Sequence, residues 1–318
     1  MKKIVRILLI VALCLILVGG VVFAIGFGAG GCKWAILGST KIEQKHFAES
    51  AENILSRVEI DYENADVEIT FDETATSVAI DYPQLQDKKG KNLSKVTVTE
   101  TPQTVTIVEK VDAWILGNWD LTAPKVKVVL PAERLFSVFI VTDNGDIAVS
   151  GNGKATDMSL TTSNGDVKAK QATVVCEGRL EMKTDNGDIY SFKTFEARSF
   201  YADADNGDVC VYGGAANDKI ELSSDNGDVE MSSGVLKAAE ISVETDNGDV
   251  ELAILDGEKI YLETDNGDVT ATLIGKQTDY STSVSVDLGD SNIGNLTGGA
   301  KSLTVETDLG DIKIYFTE

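Results

Sequence analysis

Apolar and polar residues alternate over much of the chain, and most regularly from about residue 135 onward. The alternation is centred on short turns. Two apolar residues precede each turn, as Val138 and Ile140 do, and two follow it, as Ile147 and Val149 do, with polar or mixed residues such as Glu181 between them. A strict period of two is typical of a β-strand with one buried face. The pattern predicts a succession of short strands joined by tight turns.

The turn phrase itself returns nine times, from TDNGDI at 142–147 to TDLGDI at 307–312. Its glycines are Gly145, Gly165, Gly187, Gly207, Gly227, Gly248, Gly267, Gly289 and Gly310. Successive glycines are 20, 22, 20, 20, 21, 19, 22 and 21 residues apart. A period of this size indicates a repeat architecture, in which each copy needs its neighbours to bury a core.

Three all-β arrangements compete to explain the repeat. An Asn-Gly pair between alternating runs is a hairpin signal, but a hairpin would set Asp143 opposite Asp146, and facing like charges destabilise a strand pair. A propeller needs about two copies per four-stranded blade, which nine copies do not supply evenly. We therefore predict a repeat β-solenoid, parallel and β-helix-like, with about 20–22 residues per rung. In it the glycine takes a backbone conformation that other residues resist, and the chain rises one rung per copy.

The alternation also extends, less regularly, into residues 57–134. It predicts strands at 57–62, 67–71, 78–82, 95–99, 104–109 and 125–130. Residues 58–69 alternate on both sides of Asn64-Ala65-Asp66, which predicts a degenerate first copy. The segments 87–93 and 114–119 predict irregular capping material, since a solenoid needs atypical ends. A ligand-stacking platform is the alternative for Trp114 and Trp119.

The N-terminal segment differs in composition from everything that follows. Residues 7–32 carry no charge over 26 positions, more than the ~20 that cross a bilayer as a helix. Lys2, Lys3 and Arg6 precede them and favour a cytoplasmic N-terminus. We predict one transmembrane helix, with a cleaved secretory signal, or a lipoprotein signal cleaved at Cys32, as alternatives. The expected organisation is an anchor at 1–32, a polar linker at 33–56, an N-terminal β region or cap at 57–134 and the nine-copy repeat domain at 135–318.

Charge narrows the range of partners. The chain has 51 acidic and 28 basic residues and a formal net charge of −23. Nucleic acid is excluded as a partner, because its recognition needs a basic patch. The four cysteines show no framework spacing. Cys210 falls on an outward strand position, and we expect a free thiol there.

Stacking of the copies would align the turn aspartates in two columns. The position after the glycine is Asp in every copy, and the position two before it is Asp in every copy except at Ser163. Carboxylates on neighbouring rungs, about 5 Å apart, repel by ~1 kcal/mol even in water. Side-chain bonds to backbone N–H groups, which set the turn, are the favoured explanation of the columns. The asparagines between the columns would form a hydrogen-bonded ladder.

The alternative explanation of the columns is a line of Ca²⁺ ions, since carboxylate oxygens suit this hard cation. The metal-ligating candidates are then Asp146, Asp166, Asp188, Asp208, Asp228, Asp249, Asp268, Asp290 and Asp311. The sequence indicates no other cofactor.

Catalytic chemistry has little support in the sequence. The single histidine, His46, lies in the predicted linker with no nucleophile phrase near it. Phosphate-loop, HExxH and paired-cysteine metal phrases are absent. Acidic pairs are spread evenly over the copies, whereas an active site would interrupt the repeat at one rung. We predict no enzymatic activity, and the alternative is a β-helical carbohydrate-active enzyme.

Three features together resemble the bacterial DUF4097 family of adhesin-type β-strand-repeat proteins. They are Lys2-Lys3 before a Gly-rich apolar segment, the phrase VVLP at 128–131, and the serial Asx-Gly-Asp-[Val/Ile] turns. The resemblance covers nearly the whole chain, although many members have Thr-Gly-Asp where this chain mostly has Asn-Gly-Asp. It implies a β-solenoid on the outer face of a bacterial membrane, and it implies no reaction.

The expected function is that of a membrane-anchored extracytoplasmic module without catalysis, which binds a surface ligand or serves a structural purpose. Its expected partners are the membrane, through a single-pass helix, and a surface glycan or protein. An envelope-stress or signalling accessory protein is a further alternative. The oligomeric state is left open by the sequence.

Overall fold

The computed structural model describes residues 41–87, 89–111 and 124–318. The predicted anchor and the tryptophan-containing segment 114–119 lie outside these residues. Among the residues that are described, no helix combines the length and the apolar character needed to cross a membrane.

Strands make up most of the described chain, as the alternation predicts. The first seven are β1 (Lys41–Ala48), β2 (Arg57–Tyr62), β3 (Asp66–Asp72), β4 (Ala79–Gln86), β5 (Ser94–Glu100), β6 (Thr104–Val111) and β7 (Lys125–Pro131). The next eight are β8 (Leu135–Asn144), β9 (Ile147–Asn164), β10 (Val167–Cys176), β11 (Arg179–Asn186), β12 (Ile189–Tyr190), β13 (Thr194–Asn206), β14 (Val209–Cys210) and β15 (Gly214–Asn226). The last seven are β16 (Val229–Met231), β17 (Leu236–Asn247), β18 (Val250–Asn266), β19 (Val269–Leu273), β20 (Tyr280–Leu288), β21 (Lys301–Leu309) and β22 (Ile312–Phe316). A short 3₁₀ helix, Gln277–Asp279, precedes β20.

The chain divides into two compact units. The described residues of the smaller unit are 41–43, 84–87, 89–95, 110 and 111. In it, the side-chain amide of Gln84 donates to the carbonyl oxygen of Ser94 at 2.6 Å. The backbone N–H of Lys91 donates to Asp87 Oδ1 at 2.9 Å. The segment predicted as irregular is therefore a tight turn organised by one aspartate.

The larger unit contains residues 44–83, 96–109 and 124–318 of the described chain and is a parallel β-solenoid. The strands that precede the turns stack side by side in parallel, in the order β6, β2, β8, β9, β11, β13, β15, β17, β18, β21, β20. The strands that follow the turns form a second parallel stack, in which β12 pairs with β14 and β14 with β16. The links between copies form a third, in which Val174 lies beside Phe195. Because these pairs are parallel, the hairpin alternative is wrong and the solenoid is confirmed.

The core of the larger unit is made by the alternating positions that the sequence predicts. The residues seven and five places before the glycines, such as Val138 and Ile140, are buried in every copy except that of Gly289, where Val284 is only partly buried. Ile147 and Val209, which follow the turns, are also fully buried. The degenerate first copy is confirmed as well, since β2 pairs with β8 and β3 with the first part of β9. Every copy therefore contributes its apolar face to one continuous core.

The order of the rungs departs from the prediction at both ends of the stack. Strand β6 pairs with the outer side of β2, so the later rung β6–β7 lies outside the earlier rung β2–β3. At the other end β21 pairs with both β18 and β20, which places the ninth copy between the seventh and the eighth. The expectation of one rung upward per copy is therefore wrong at these two places. The segment after β20 folds back across its outer edge, where Thr282 and Leu296 exchange backbone hydrogen bonds, and such a cover protects an open sheet edge.

Part of the segment expected to be a linker forms strand β1, which contains His46. The residues after it are fixed by Glu49, whose side chain is 5% exposed. Its carboxylate accepts the backbone N–H of Leu55 at 2.6 Å and that of Val78 at 2.9 Å, and it pairs with Arg134 at 2.7 Å. Burial raises the pKa of Glu49. The hydrogen bonds from Arg134, Val78 and Leu55 together lower it by a larger amount, so the net shift is downward. This ion pair holds the start of the larger unit to its first rungs.

Candidate functional site

The nine turn glycines form a column in which adjacent backbones almost touch. A Cβ atom built at Gly207 would overlap the carbonyl oxygen of Gly187, and the other eight glycines have the same relation to a carbonyl of the rung beside them. Among the described residues no residue other than glycine has a positive φ. Only some of the nine, such as Gly207 with φ of 151°, have a positive φ. The expected conformational reason for glycine is therefore secondary, and the common reason is the lack of space for a side chain.

The aspartate after each glycine is part of a hydrogen-bonded ladder. Its Oδ1 accepts the backbone N–H of the corresponding aspartate on the next rung, for example from Asp166 to Asp146 at 2.9 Å and from Asp208 to Asp188 at 3.0 Å. The ladder runs through Asp66, Asp146, Asp166, Asp188, Asp208, Asp228, Asp249, Asp268, Asp311 and Asp290, with distances of 2.7–3.1 Å. The structure thus brings all nine candidate metal ligands together in one column. Eight of them use one carboxylate oxygen to align the turns, and the exception is Asp290 at the end of the column.

Lysines beside the column offset part of its charge. Lys168 Nζ lies 2.9 Å from Asp146 Oδ2 and 2.8 Å from Asp166 Oδ2. Burial raises the pKa of Asp146, but the backbone N–H of Asp166 and the ammonium of Lys168 lower it more, so that the net shift is downward. The pKa of Asp268 is also lowered, chiefly by the backbone N–H of Asp311. These two carboxylates are stabilised in their ionised form.

The described part of the chain contains no group of three or more His, Cys, Asp or Glu side chains arranged to hold a metal ion. In the aspartate column successive carboxylates bind backbone N–H groups and do not converge on one point. The calcium hypothesis stays a prediction that titration tests. The geometry on its own gives the column a structural role.

The asparagines before the glycines form the expected second ladder. Nδ2 of each asparagine donates to Oδ1 of the asparagine on the preceding rung, as Asn164 does to Asn144 at 3.2 Å. The ladder contains Asn64, Asn144, Asn164, Asn186, Asn206, Asn226, Asn247 and Asn266. It ends at Asn266 because the next two rungs carry Leu309 and Leu288, whose side chains are exposed.

A third column, of buried Thr and Ser hydroxyls, was not predicted from the sequence. Three places before the glycine most copies have Thr or Ser, and these residues point inward and are buried. Their hydroxyls donate to the glycine carbonyl of the preceding rung, as Thr184 does to Gly165 at 2.8 Å and Ser224 to Gly207 at 2.9 Å. Ala204 occupies this position in one copy and has no hydroxyl to donate. A hydroxyl residue recurring at a buried strand position was the available clue.

The outward faces of the strands vary from rung to rung. At the position four before the glycine, neighbours in register are Lys183, Asp203, Ser223, Glu244, Glu263 and Glu306. Burial raises the pKa of Glu263, and the negative charges of Glu244, Glu306, Asp265 and Asp308 raise it further. One end of this face is therefore strongly acidic, while the other carries mixed charges.

Two shallow grooves lie on the outward faces of the larger unit. One, of about 210 Å³, is lined by Arg179, Glu181, Tyr201, Ala202, Asp203, Glu221 and Ser223. The guanidinium carbon of Arg179 lies 3.6 Å from the centroid of the Tyr201 ring, and Lys183 Nζ lies 2.6 Å from Asp203 Oδ2. The other groove, of about 320 Å³, contains Lys168 and Lys170 among its lining residues. Both offer donors, acceptors and charge, which suits a polar ligand.

The remaining residues singled out in the sequence do not form a catalytic group. His46 Nδ1 lies 2.6 Å from Asp81 Oδ1, with both side chains exposed, and the hydrogen bonds of the described residues add no nucleophile to the pair. Cys176 and Cys210 are free thiols. Burial raises the pKa of each to about 11, so neither is an activated nucleophile near neutral pH.

Comparisons with known proteins agree with this architecture. A structure described as a "putative adhesin" from Parabacteroides merdae ATCC 43184 matches with a TM-score of 0.51 and 13% identity, covering 88% of this chain and 98% of that one. A "putative adhesin" from Parabacteroides distasonis ATCC 8503 matches with 0.49 and 15%, over 87% and 98%. A "Putative lipid binding protein" from the same organism matches with 0.47 and 13%, over 87% and 97%.

At 13% identity, the likeness to the Parabacteroides merdae structure shows the fold alone. None of the curated proteins matches the chain. The profile of the Toastrack DUF4097 family matches residues 55–314, which include the whole stack of turns. The chain therefore belongs to the Toastrack DUF4097 family.

Proposed function

We propose that this chain is an extracytoplasmic surface module, held at the membrane by its N-terminal segment, that binds a polar ligand on its outward strand faces and performs no catalysis. A surface glycan or protein is the expected ligand. The proposal covers the anchoring, the location and the ligand together.

The observation that carries the proposal is the division of labour between turn and strand residues. The turn residues make internal ladders that fix the spacing of the rungs. The outward strand residues make only occasional bonds between rungs, such as that of Lys183 with Asp203, and their identity changes from rung to rung while the backbone beneath them stays regular. A rigid scaffold that carries variable polar positions is the arrangement expected of a binding surface. The relatives described as adhesins agree with this proposal without identifying a ligand.

The mixed-charge groove around Tyr201 is the best-formed candidate contact region. Its aromatic ring, arginine and carboxylates supply the polar groups that fix the orientation of a ligand. Binding of the full chain to an array of bacterial and host surface glycans tests the idea, with Y201A and D203N as variants and E196Q, on an exposed position elsewhere, as the matched control. Binding that is lost in both variants and kept in E196Q supports the proposal. Unchanged binding in both variants refutes this location.

The location is tested separately, on intact cells that express the full chain with a C-terminal tag. The proposal expects the tag in the membrane fraction and its removal by protease added outside the cytoplasmic membrane. Release of the tag into the soluble cytoplasmic fraction would refute the anchoring, whatever the outcome of the glycan experiment.

A further inference from the structure

The chain contains eight Asn-Gly dipeptides. Asn-Gly is the dipeptide most prone to spontaneous deamidation. Seven belong to the Asn ladder, Asn144, Asn164, Asn186, Asn206, Asn226, Asn247 and Asn266, and the eighth is Asn152. In the reaction the glycine nitrogen attacks the side-chain carbon Cγ of the asparagine. A nitrogen–Cγ bond forms, the Cγ–Nδ2 bond breaks and ammonia leaves. Water then opens the resulting succinimide to aspartate or isoaspartate, so water is the only co-reactant.

In the ladder both reacting groups are held by hydrogen bonds. The attacking N–H of each ladder glycine donates to a carbonyl oxygen of the next rung, as Gly165 does to Asn186 at 2.9 Å and Gly207 to Asn226 at 3.0 Å. The leaving amide of each asparagine donates to the preceding rung, as Asn206 does to Asn186. The asparagine side chains are exposed, so access of water does not limit the reaction. The obstacle is geometric, because the nitrogen must abandon its carbonyl before it can reach Cγ.

We propose that the ladder asparagines are latent modification sites, which the stacked rungs keep intact and which deamidate when a rung opens. The inference goes beyond the proposed surface function and does not depend on a ligand. It rests on two sets of bonds that recur in all seven turns.

Deamidation at one rung has consequences for its neighbours. The new carboxylate cannot donate to the asparagine on the preceding rung, and it places a negative charge between two columns of aspartates. An isoaspartate also lengthens the main chain by one carbon, which disturbs the register of that turn. Deamidation of one asparagine therefore loosens the adjacent rungs. Because the reaction is irreversible, the product remains after the stack has closed again.

Two positions in the same chain serve as internal comparisons. Asn152 also precedes a glycine and is exposed. Its main chain lies within β9 in register with Thr173 of β10, but its side-chain amide has no part in the Asn ladder, so the comparison isolates the effect of the amide bonds. Asn266 is the last ladder member: its Nδ2 donates to Asn247 at 3.0 Å, but its Oδ1 faces the rung of Leu309, which has no amide. We expect Asn152 to react fastest in the folded chain and Asn266 to react fastest within the ladder.

The test is peptide mapping by mass spectrometry of the full chain, incubated in mildly alkaline buffer in its folded state and in urea. We expect the ladder positions to convert roughly tenfold or more slowly in the folded chain than in urea, because reaction requires local opening. In the folded chain they should also lag behind Asn152. Equal rates in the folded and unfolded chain, or at Asn152 and the ladder positions, would overturn the proposal.

Two variants test whether the Asn ladder is what slows deamidation. N206S removes the donor to Asn186 and the acceptor of Asn226, so these two positions should convert several-fold faster while Asn144 and Asn164 stay slow. L309N works in the opposite direction, because an amide at position 309 extends the ladder and should slow Asn266. If neither variant changes the rate at its neighbours while circular dichroism shows a folded chain, the ladder does not provide the protection.

Discussion

At the scale of single residues, four positions of the turn phrase each meet one physical requirement of close stacking. Glycine leaves room for the carbonyl of the next rung, aspartate and asparagine bond from rung to rung, and the buried hydroxyl caps a glycine carbonyl. None of these duties involves a substrate. The repetition of the phrase follows from the repetition of the same contacts.

The glycine requirement predicts a large effect of a single methyl group. G207A should lower the free energy of unfolding by about 1–3 kcal/mol, because its Cβ would overlap the Gly187 carbonyl and force the rungs apart. G294A is the matched control, since nothing lies within 4 Å of a Cβ built there, and it should change stability by less than about 0.5 kcal/mol. Urea denaturation of both variants measures the difference. Equal stability would contradict the steric explanation.

The column of buried hydroxyls predicts that one substitution lowers the free energy of unfolding and that another raises it. T184V should cost about 1 kcal/mol, because the carbonyl of Gly165 loses a buried donor. A204T supplies a hydroxyl in the one internal copy that lacks it and should stabilise the chain by up to about 1 kcal/mol. The same denaturation measurement applies. A destabilising A204T would show that this rung lacks the space that Thr184 and Ser224 occupy in theirs.

At the scale of the elements, the strands keep a uniform interior and let their outer faces diverge. The strands before the turns carry mixed charges in β11 and carboxylates in β17, β18 and β21, where Glu244, Glu263 and Glu306 stand in register. Like charges directly opposite each other destabilise a strand pair. The acidic end of this face therefore costs stability that the core offsets.

This repulsion predicts a pH-dependent gain for E263Q. The pKa of Glu263 is raised in the folded chain by burial and by the surrounding carboxylates. Its ionised form therefore destabilises the fold above that pKa, and the penalty disappears as the pH falls toward the ordinary value of 4.5. E263Q should raise stability by about 0.2–1 kcal/mol at neutral pH and low salt, and by nothing in acid.

The matched control for E263Q is E221Q, which removes an ion pair with Lys219 at 2.9 Å and so should not stabilise. Thermal melts of both variants over a pH series provide the comparison. A gain from E263Q that persists below the ordinary pKa would contradict the electrostatic explanation.

At the scale of the whole described chain, the rungs are arranged so that neither the first nor the last copy in the sequence is the outermost. The rung of β21 and β22 lies between that of β18 and β19 and the strand β20. At the other end β2 lies between β6 and β8, and β3 lies between β7 and the first part of β9. In the stack of strands that precedes the turns, the outermost strands β6 and β20 are thus internal to the sequence.

This order predicts where core truncation is costly. Val305 and Val284 are in register in β21 and β20, but Val305 is fully buried and Val284 is only partly buried. V305A should cost about 1.5–3 kcal/mol and V284A clearly less, since less apolar area is lost. Denaturation of the two variants decides the matter, and a larger loss in V284A would contradict the observed order.

Some features of the fold follow from local sequence patterns, and others do not. The periods of two and of about 20 determine the strands, the inward residues and the stacking, because they depend on local alternation and on the need to bury one face. Strand β1 was missed because its residues are mostly polar and exposed. The order of the end rungs was unpredictable, since β20 and β21 have the same alternation and nothing local states which one pairs with β18. The bonds of aspartates to backbone N–H groups were predicted, and for the aspartates after the glycines they exist, although they run from rung to rung. The buried Thr and Ser lie at inward positions, where the alternation predicts apolar residues.

The central claim is that the aspartates after the turn glycines align the rungs through their bonds to backbone N–H groups. Calcium titration of the fragment beginning at Lys41, with melting curves in Ca²⁺, in EDTA and in Mg²⁺ as the control for ionic strength, tests it most directly. The ladder predicts the same melting temperature in Ca²⁺ as in Mg²⁺ and no stoichiometric binding. A calcium-selective rise of the melting temperature, with several ions bound per chain, would contradict the account and make Asp146 through Asp311 a metal-binding column.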